Sequence, residues 1–267
     1  MGKFDGYLLL SDFDGTLAHT EKEFLPDGTK IYKKNISQEN CDAIRYFQSE
    51  GGLFTLATGR SIDFLQQWRS HIVPNTYVVC YNGAYVCSLD GKEILFSRPL
   101  EEDFLPLAER VRAACPDLEW VYFHSHGEGA KFFKGETIDT QLLIPPVYKM
   151  VFYAHREQAD DYAAKIASLI GDRYDSMRSW VNGIEILMKG ATKGSAIPRL
   201  KERLGDRART VVAVGDYEND LDMIRAADIG YAVENAVPSL KEAADRITVP
   251  HHESAIAKII EELERDC

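Results

Sequence analysis

Short apolar runs at residues 7–11, 53–57, 78–81, 210–214 and 229–233 alternate with stretches of helical periodicity, and this alternation constrains the fold more than any other feature. Each run is apolar on consecutive positions, as strands are when both faces of their sheet are covered. A doubly wound parallel α/β sheet is therefore expected. Helices are expected between the first two runs, at about residues 38–50, and after the fourth, at about residues 220–227. In such sheets ligands collect outside the carboxyl ends of the strands. Three of those ends are polar: Asp12-Phe13-Asp14-Gly15-Thr16, Thr58-Gly59-Arg60, and Gly215-Asp216-Tyr217-Glu218-Asn219-Asp220. They are expected to converge on one site.

Between residues 84 and 189 the texture changes. Residues 91–96, 118–124 and 129–135 alternate like antiparallel strands, helices are expected at 101–115 and 157–170, and two further strand-like segments lie at 147–154 and 183–188. The core pattern resumes after Lys193. The middle is therefore expected to be a separate α+β unit at 84–189, inserted into a core of 1–83 and 190–267, with hinges near Asn82-Gly83 and Lys189-Gly190.

The chain has 267 residues, 45% of them hydrophobic, enough to bury a sizeable core. Its start has too few consecutive apolar residues for a signal peptide or a membrane span, so a cytoplasmic protein is expected. Cys41, Cys80, Cys87, Cys115 and Cys267 form no Cys-x-x-Cys pair and are expected to be reduced thiols. The formal charge of −11 disfavours nucleic acid as a partner and means that an anionic substrate needs local cations.

The polar strand ends supply chemistry. Asp12 and Asp14 at one strand end repel each other unless a hard cation offsets their charge, and Asp216, with Asn219 and Asp220 beyond it, makes a divalent-metal site plausible. Thr58 and Gly59 offer a hydroxyl and a closely approached backbone to phosphate oxygens. Lys193 precedes a helix expected to start at Gly194 and Ser195, so an ammonium and a helix N-terminus are expected to face the same anion.

These motifs, Asp-Phe-Asp-Gly-Thr, Ala-Thr-Gly-Arg, Lys-Gly and Gly-Asp-x-x-Asn-Asp in that order, resemble the haloacid dehalogenase superfamily, and the long insertion resembles its Cof-type phosphatases. The resemblance implies a Rossmann-like core with a C2-type α+β cap, and Mg²⁺-dependent hydrolysis of small phosphorylated metabolites, sugar phosphates foremost. It also implies that Asp12 is the nucleophile forming an aspartyl phosphate and that Asp14 is the general acid and base. Mg²⁺ would be held by the Asp12 carboxylate, the Asp14 backbone carbonyl and Asp216. Thr58, Gly59, Lys193 and Asn219 would bind the phosphoryl oxygens, with Asp220 supporting the metal. Asp14 separates the chain from the dehalogenases, whose leaving group needs no proton. The chain departs from the Cof pattern in a stretch at residues 23–35, expected as a loop near the site, in Phe13, and in the turn at His251-His252-Glu253.

His251 and His252 point to different sides and are not expected to bind metal, while His124 and His126 alternate on one face of a strand, where a surface role is expected. Two other functions fit the same motifs, a sugar phosphomutase and a noncatalytic phospho-ligand sensor. The first would reorient its intermediate, and the second would not need Asp12, Asp14, Lys193 and Asp216 together. A monomer or weak homo-oligomer without membrane or nucleic-acid partners is expected.

Overall fold

In the computed structural model, which describes residues 2–24, 30–125 and 129–266, the first apolar run is β1 (Tyr7–Ser11), and its Leu8, Leu9 and Leu10 are all fully buried. A hairpin of β2 (His19–Phe24) and β3 (Lys30–Asn35) follows, then α1 (Gln38–Ser49), β4 (Leu53–Leu56) and α2 (Ile62–Gln66). Next come β5 (Val78–Cys80), β6 (Tyr85–Cys87) and β7 (Ile94–Ser97). The middle of the chain contains α3 (Phe104–Ala114), β8 (Trp120–Ser125), β9 (Ala130–Phe133), β10 (Val147–Tyr153), α4 (Ala159–Leu169), β11 (Tyr174–Trp180) and β12 (Gly183–Met188). The chain returns through α5 (Ala196–Leu204), β13 (Thr210–Gly215), α6 (Leu221–Ala226), β14 (Ile229–Val233), α7 (Pro238–Ala243), β15 (Arg246–Thr248) and α8 (Ala255–Asp266).

The central sheet is parallel, in the order β15-β14-β13-β1-β4. Because β1 lies between β13 and β4, the polar ends of three expected strands are brought side by side. Helix α1 starts where Ser37 Oγ accepts the Asn40 N–H at 3.1 Å, a cap worth about 1 kcal/mol. Helix α8 buries Ile256, Ile259, Ile260 and Leu263 on one face. Among the described residues no helix is long and apolar enough to cross a membrane. Cys41, Cys80, Cys87 and Cys115 are free and buried, and Cys267 lies outside the described residues.

The run at 78–81, expected as a parallel core strand, departs from that pattern. β5 touches the edge of the sheet by one parallel bridge, Ala57 to Val79, and pairs antiparallel with β6, which pairs with β7. The cause is the turn after Cys80, where Tyr81, Asn82 and Gly83 all have positive φ, at 49°, 52° and 97°, and send the chain back along β5. Strain of this kind is held by tertiary contacts. Tyr81 stacks on Tyr148 at 4.8 Å and its hydroxyl donates to the Ser125 carbonyl at 2.8 Å, which pins the turn to the inserted unit. A Cβ at Gly83 would stand 2.0 Å from the Thr192 carbonyl oxygen. Gly83→Ala is therefore expected to cost about 2–4 kcal/mol, read as a lower urea midpoint with unchanged slope.

The buried apolar side chains among the described residues form two clusters. The first joins the central sheet to α1, α5 and α8, includes Tyr85, Val86 and Cys87, and also takes in Tyr148 of β10 and Leu187 of β12 from the face of the inserted sheet opposite its helices. The second begins at Leu100 and joins Leu107 and Val111 of α3 and Ile166 of α4 to Phe123, Met150, Phe152, Ile184 and Ile186. Residues 84–97, expected in the inserted unit, thus pack with the core, and we place the start of the insertion near Pro99. The inserted sheet is antiparallel, in the order β11-β12-β10-β8-β9. One of its faces packs on α3 and α4. The alternate positions, among them His124, Lys149 and Glu185, belong to the opposite face.

The stretch at 23–35 is not a plain loop: β2 and β3 pair from His19 with Asn35 to Phe24 with Lys30, and residues 25–29 lie outside the described residues, as does His126.

Candidate active site

The three polar strand ends meet at a cavity of about 390 Å³. Its core side is lined by Asp12, Asp14, Thr58, Gly59, Arg60, Asp216 and Asn219, and its other walls by Lys34 and by His124, Lys149, Ser179, Trp180 and Glu185 of the insertion. Lys193 and Asp220 lie fully buried behind the lining.

Asp12 is 5% exposed, and its Oδ1 accepts from Lys193 Nζ at 2.6 Å. The same ammonium donates to Asp220 Oδ1 at 2.6 Å. Asp220 Oδ2 accepts the amides of Asp216 and Tyr217 at 3.0 and 3.2 Å, so both its oxygens are engaged in holding Lys193 and the start of the following turn. Carboxylate oxygens of Asp12, Asp216 and Asp220 lie within 4.8 Å of one another. Three carboxylates face one ammonium. Burial raises the Asp12 carboxyl to about 7 despite Lys193, with Asp220 and Asp14 adding repulsion. Burial and the charges of Asp12 and Asp220 likewise raise Asp216, to about 9. Burial alone would lower Lys193, but the two aspartates outweigh it and hold the ammonium charged.

Gly15 makes this approach possible. A Cβ there would lie 2.4 Å from Asp216 Oδ2, and the residue has a φ of +83°. Its carbonyl accepts from Asn235 Nδ2 at 2.9 Å, and Asn235 Oδ1 accepts the His251 N–H at 2.8 Å with the His251 ring Nδ1 2.7 Å away. His251 thus braces the loop that carries Asp14.

The Asp14 carboxylate is not one of the three that cluster and has cationic partners of its own. Arg60 donates to it through Nε at 2.7 Å and through a terminal nitrogen at 3.1 Å, and Lys34 of β3 pairs with it as well. Burial pushes the Asp14 carboxyl up, but Arg60 and Lys34 outweigh burial and hold it below the usual carboxylate range. Arg60 was visible in sequence only as the end of Thr-Gly-Arg, and nothing in the sequence singled out Lys34.

Thr58 is buried, and its Oγ1 accepts the Arg60 N–H at 3.2 Å, which leaves the hydroxyl proton to be donated elsewhere. Asn219 Nδ2 donates to Asn82 Oδ1 at 3.1 Å. The expected helix N-terminus beside Lys193 is not open to an anion. Helix α5 starts only at Ala196, the Gly194 N–H donates to Asp222 Oδ2 at 3.2 Å, and the Ser195 N–H donates to Thr192 Oγ1 at 3.2 Å. Local side chains had already satisfied those amides, so Lys193 acts there as an ammonium alone.

Lys149 and Glu185 form a buried pair on the roof, 2% and 1% exposed, with Nζ 2.8 Å from each carboxylate oxygen. The available signal was a lone charge inside each of two otherwise apolar strands. His124 sits beside them, and burial together with the nearby charges of Lys149 and Arg60 lowers its pKa well below the ordinary value, so its ring is neutral.

The profile of the haloacid dehalogenase-like hydrolases matches residues 9–260. The chain is 28% identical to YxeH of Bacillus subtilis, provisionally named a phosphatase, over 96% of this chain and 97% of that one. It is 26% identical to the HMP-PP phosphatase of Yersinia enterocolitica, covering 84% and 86% of the two chains. Its fold is similar to the solved structure of the HAD subclass IIB sugar phosphatase BT4131, with a TM-score of 0.73 and 20% identity over 96% of this chain and 98% of that one.

Proposed function

The chain belongs to the haloacid dehalogenase-like hydrolases, and from that membership we propose that it is a Mg²⁺-dependent phosphatase of small phosphorylated metabolites, sugar phosphates foremost, acting through an aspartyl phosphate on Asp12. The observation that carries this reading is Asp12 itself. It stands at the floor of a cavity of small-molecule size, with one oxygen held by Lys193 at 2.6 Å. Its second oxygen would attack phosphorus as the bond to the leaving oxygen breaks. Asp14 would give its proton to the departing alcohol, then take one from the water that attacks the phosphoryl-enzyme, restoring the Asp12 carboxylate.

Arg60 and Lys34 hold Asp14 ionised in the free protein, the form required of the base. The arriving phosphoryl dianion would compete for both cations and, as a neighbouring negative charge, favour the protonated form required of the acid. Asp14→Asn is accordingly expected to slow hydrolysis of alkyl phosphates by about 10²–10⁴-fold and that of an aryl phosphate with a good leaving group much less. Equal losses on both would remove Asp14 from the acid role.

The donor set fits a hard divalent ion: three crowded carboxylate groups with a single ammonium between them leave uncompensated negative charge. Asp12 and Asp216, with the Asp14 backbone carbonyl, would hold Mg²⁺, with Asp220 in support. The ion supplies charge neutralisation for the phosphoryl oxygens.

The raised pKa values of Asp12, about 7, and Asp216, about 9, fix the sign of the pH dependence. Above the ordinary carboxylate range the unfolded chain has released protons that the folded chain retains, so stability without metal falls as pH rises toward about 9. Mg²⁺ is therefore expected to raise Tm more at about pH 8 than at about pH 5.5, measured by scanning calorimetry. A shift that is absent, or equal at both, would contradict metal binding by these groups.

A further inference from the structure

The roof of the cavity carries a charged pair that the proposed hydrolysis does not use. Lys149 and Glu185 lie on one face of neighbouring antiparallel strands, Lys149 opposite Leu187 and Glu185 opposite Val151. Both are buried, a costly position for two charges unless they are paired and further hydrogen-bonded. Much of that requirement is met. Glu185 Oε2 also accepts from Asn82 Nδ2 at 2.6 Å, and Asn82 Oδ1 in turn accepts from Asn219. The pair is thereby tied through Asn82 to the phosphate side of the site. It is also close to it, since a Cβ on Gly59 would stand 3.2 Å from both Lys149 Nζ and Asn82 Oδ1.

The hydrogen-bond inventory of the pair is incomplete. An ammonium has three hydrogens, and among the described residues Glu185 is the partner of Lys149 Nζ, which leaves one hydrogen unassigned on a residue that lines the cavity. Glu185 Oε1 accepts from Lys149 and retains a lone pair. A donor and an acceptor therefore sit 2.8 Å apart at the cavity wall, beside the phosphate-binding backbone. One hydroxyl, which both accepts and donates, or two neighbouring hydroxyls, would complete them.

The same wall has little to offer a charged leaving group. Among the described lining residues each cation already faces a carboxylate: Lys34 and Arg60 face Asp14, and Lys149 faces Glu185. His124 is held neutral, and Ser179 and Trp180 carry no charge. Lys34 and Arg60 would be taken up by the transferring phosphoryl group, so a second phosphate or a carboxylate on the leaving group would be desolvated without a free cation to receive it.

We propose that Lys149 and Glu185 are specificity-determining residues that read a hydroxyl close to the ester bond, and that the substrate is the phosphate monoester of an uncharged, hydroxyl-bearing alcohol. This rests on the phosphatase reading above. An alcohol without the hydroxyl would leave the buried donor and acceptor unpaired, the kind of loss from which polar sites draw their largest discrimination.

The test compares sorbitol 6-phosphate with hexyl phosphate, which share charge and carbon count and differ in hydroxyls, with p-nitrophenyl phosphate as the reference, all with Mg²⁺. For the wild-type protein kcat/KM is expected to favour the sorbitol ester over the hexyl ester by at least about 30-fold. In the double variant Lys149→Met with Glu185→Leu, which removes both charges together, that ratio is expected to fall below about threefold, and the sorbitol ester to lose at least about tenfold more than the aryl ester. Circular dichroism and thermal melting check the fold. If the variant does not fold, the wild-type ratio decides: a ratio near one overturns the proposal and a large one supports it. Equal losses on the sorbitol and aryl esters, or a ratio unchanged in the variant, also overturn it, because the pair would then be structural. Wild-type protein active on the aryl ester without preference between the other two overturns this inference alone. Wild-type protein inert toward all three overturns the phosphatase reading and this inference with it.

Discussion

Asp12→Asn is expected to lower kcat by at least about 10⁴-fold while leaving a folded protein. An amide oxygen is a poor nucleophile toward phosphorus, yet it can still accept the 2.6 Å hydrogen bond from Lys193, so the geometry behind the cavity survives. Removing one negative charge from the group formed with Asp216 and Asp220 also relieves repulsion. Metal-free stability in urea is thus expected to be unchanged or higher near neutral pH, and Mg²⁺ affinity to fall. Turnover close to wild type would assign the nucleophile elsewhere.

Lys193→Met is expected to have the largest effect on stability of any single substitution at this site. The ammonium is fully buried and bridges Asp12 and Asp220 at 2.6 Å each. Its loss leaves Asp12, Asp216 and Asp220 without the cation at their centre, and removing one partner from a buried ionic cluster costs about 3–5 kcal/mol. The sign with pH follows from the groups left behind. With Lys193 gone Asp12 and Asp216, already raised to about 7 and about 9, hold their protons to still higher pH, so the variant is expected to be most destabilised near pH 8 and least near pH 5, where these two are protonated. Urea denaturation at both values measures this, and turnover is expected to fall by about 10²–10³-fold as well. A variant as stable as the wild type near pH 8 would contradict the electrostatic account of the cluster.

The parts of the fold legible in the sequence are those whose residues face one environment throughout. β1 and β14 match their expected limits because consecutive apolar residues are what a doubly covered parallel strand requires. β11 gave no comparable signal. Its residues, Tyr-Asp-Ser-Met-Arg-Ser-Trp, form an edge strand that is mostly half-buried, so polar residues are tolerated and no alternation builds up. The hairpin of β2 and β3 is rich in charge and pairs outside the other sheets, which is why it looked like a loop and why Lys34 could not be placed on Asp14 from sequence.

The candidate site was legible where chain direction alone decides position. Asp12, Thr58 and Asp216 follow parallel strands, and parallel strands put their carboxyl ends on one edge. Side-chain direction was not legible: Asp14 turns to Arg60 and Lys34, and Gly194 gives its amide to Asp222. The insertion's contribution was hidden for a different reason. Lys149 and Glu185 stand alone in apolar strands far apart in the chain, and only the pairing of β10 with β12 brings them together.

The central claim is that Asp12 accepts the phosphoryl group. The most direct measurement is to acid-quench the enzyme during turnover of a phosphate monoester with Mg²⁺, reduce it with borohydride, and map the product by peptide mass spectrometry. An aspartyl phosphate is reduced to homoserine, whereas a free carboxylate is untouched. The expected result is homoserine at the position of Asp12, dependent on substrate and absent from Asp12→Asn. Phosphate release at full rate with Asp12 unmodified, or homoserine at another position, would contradict the account.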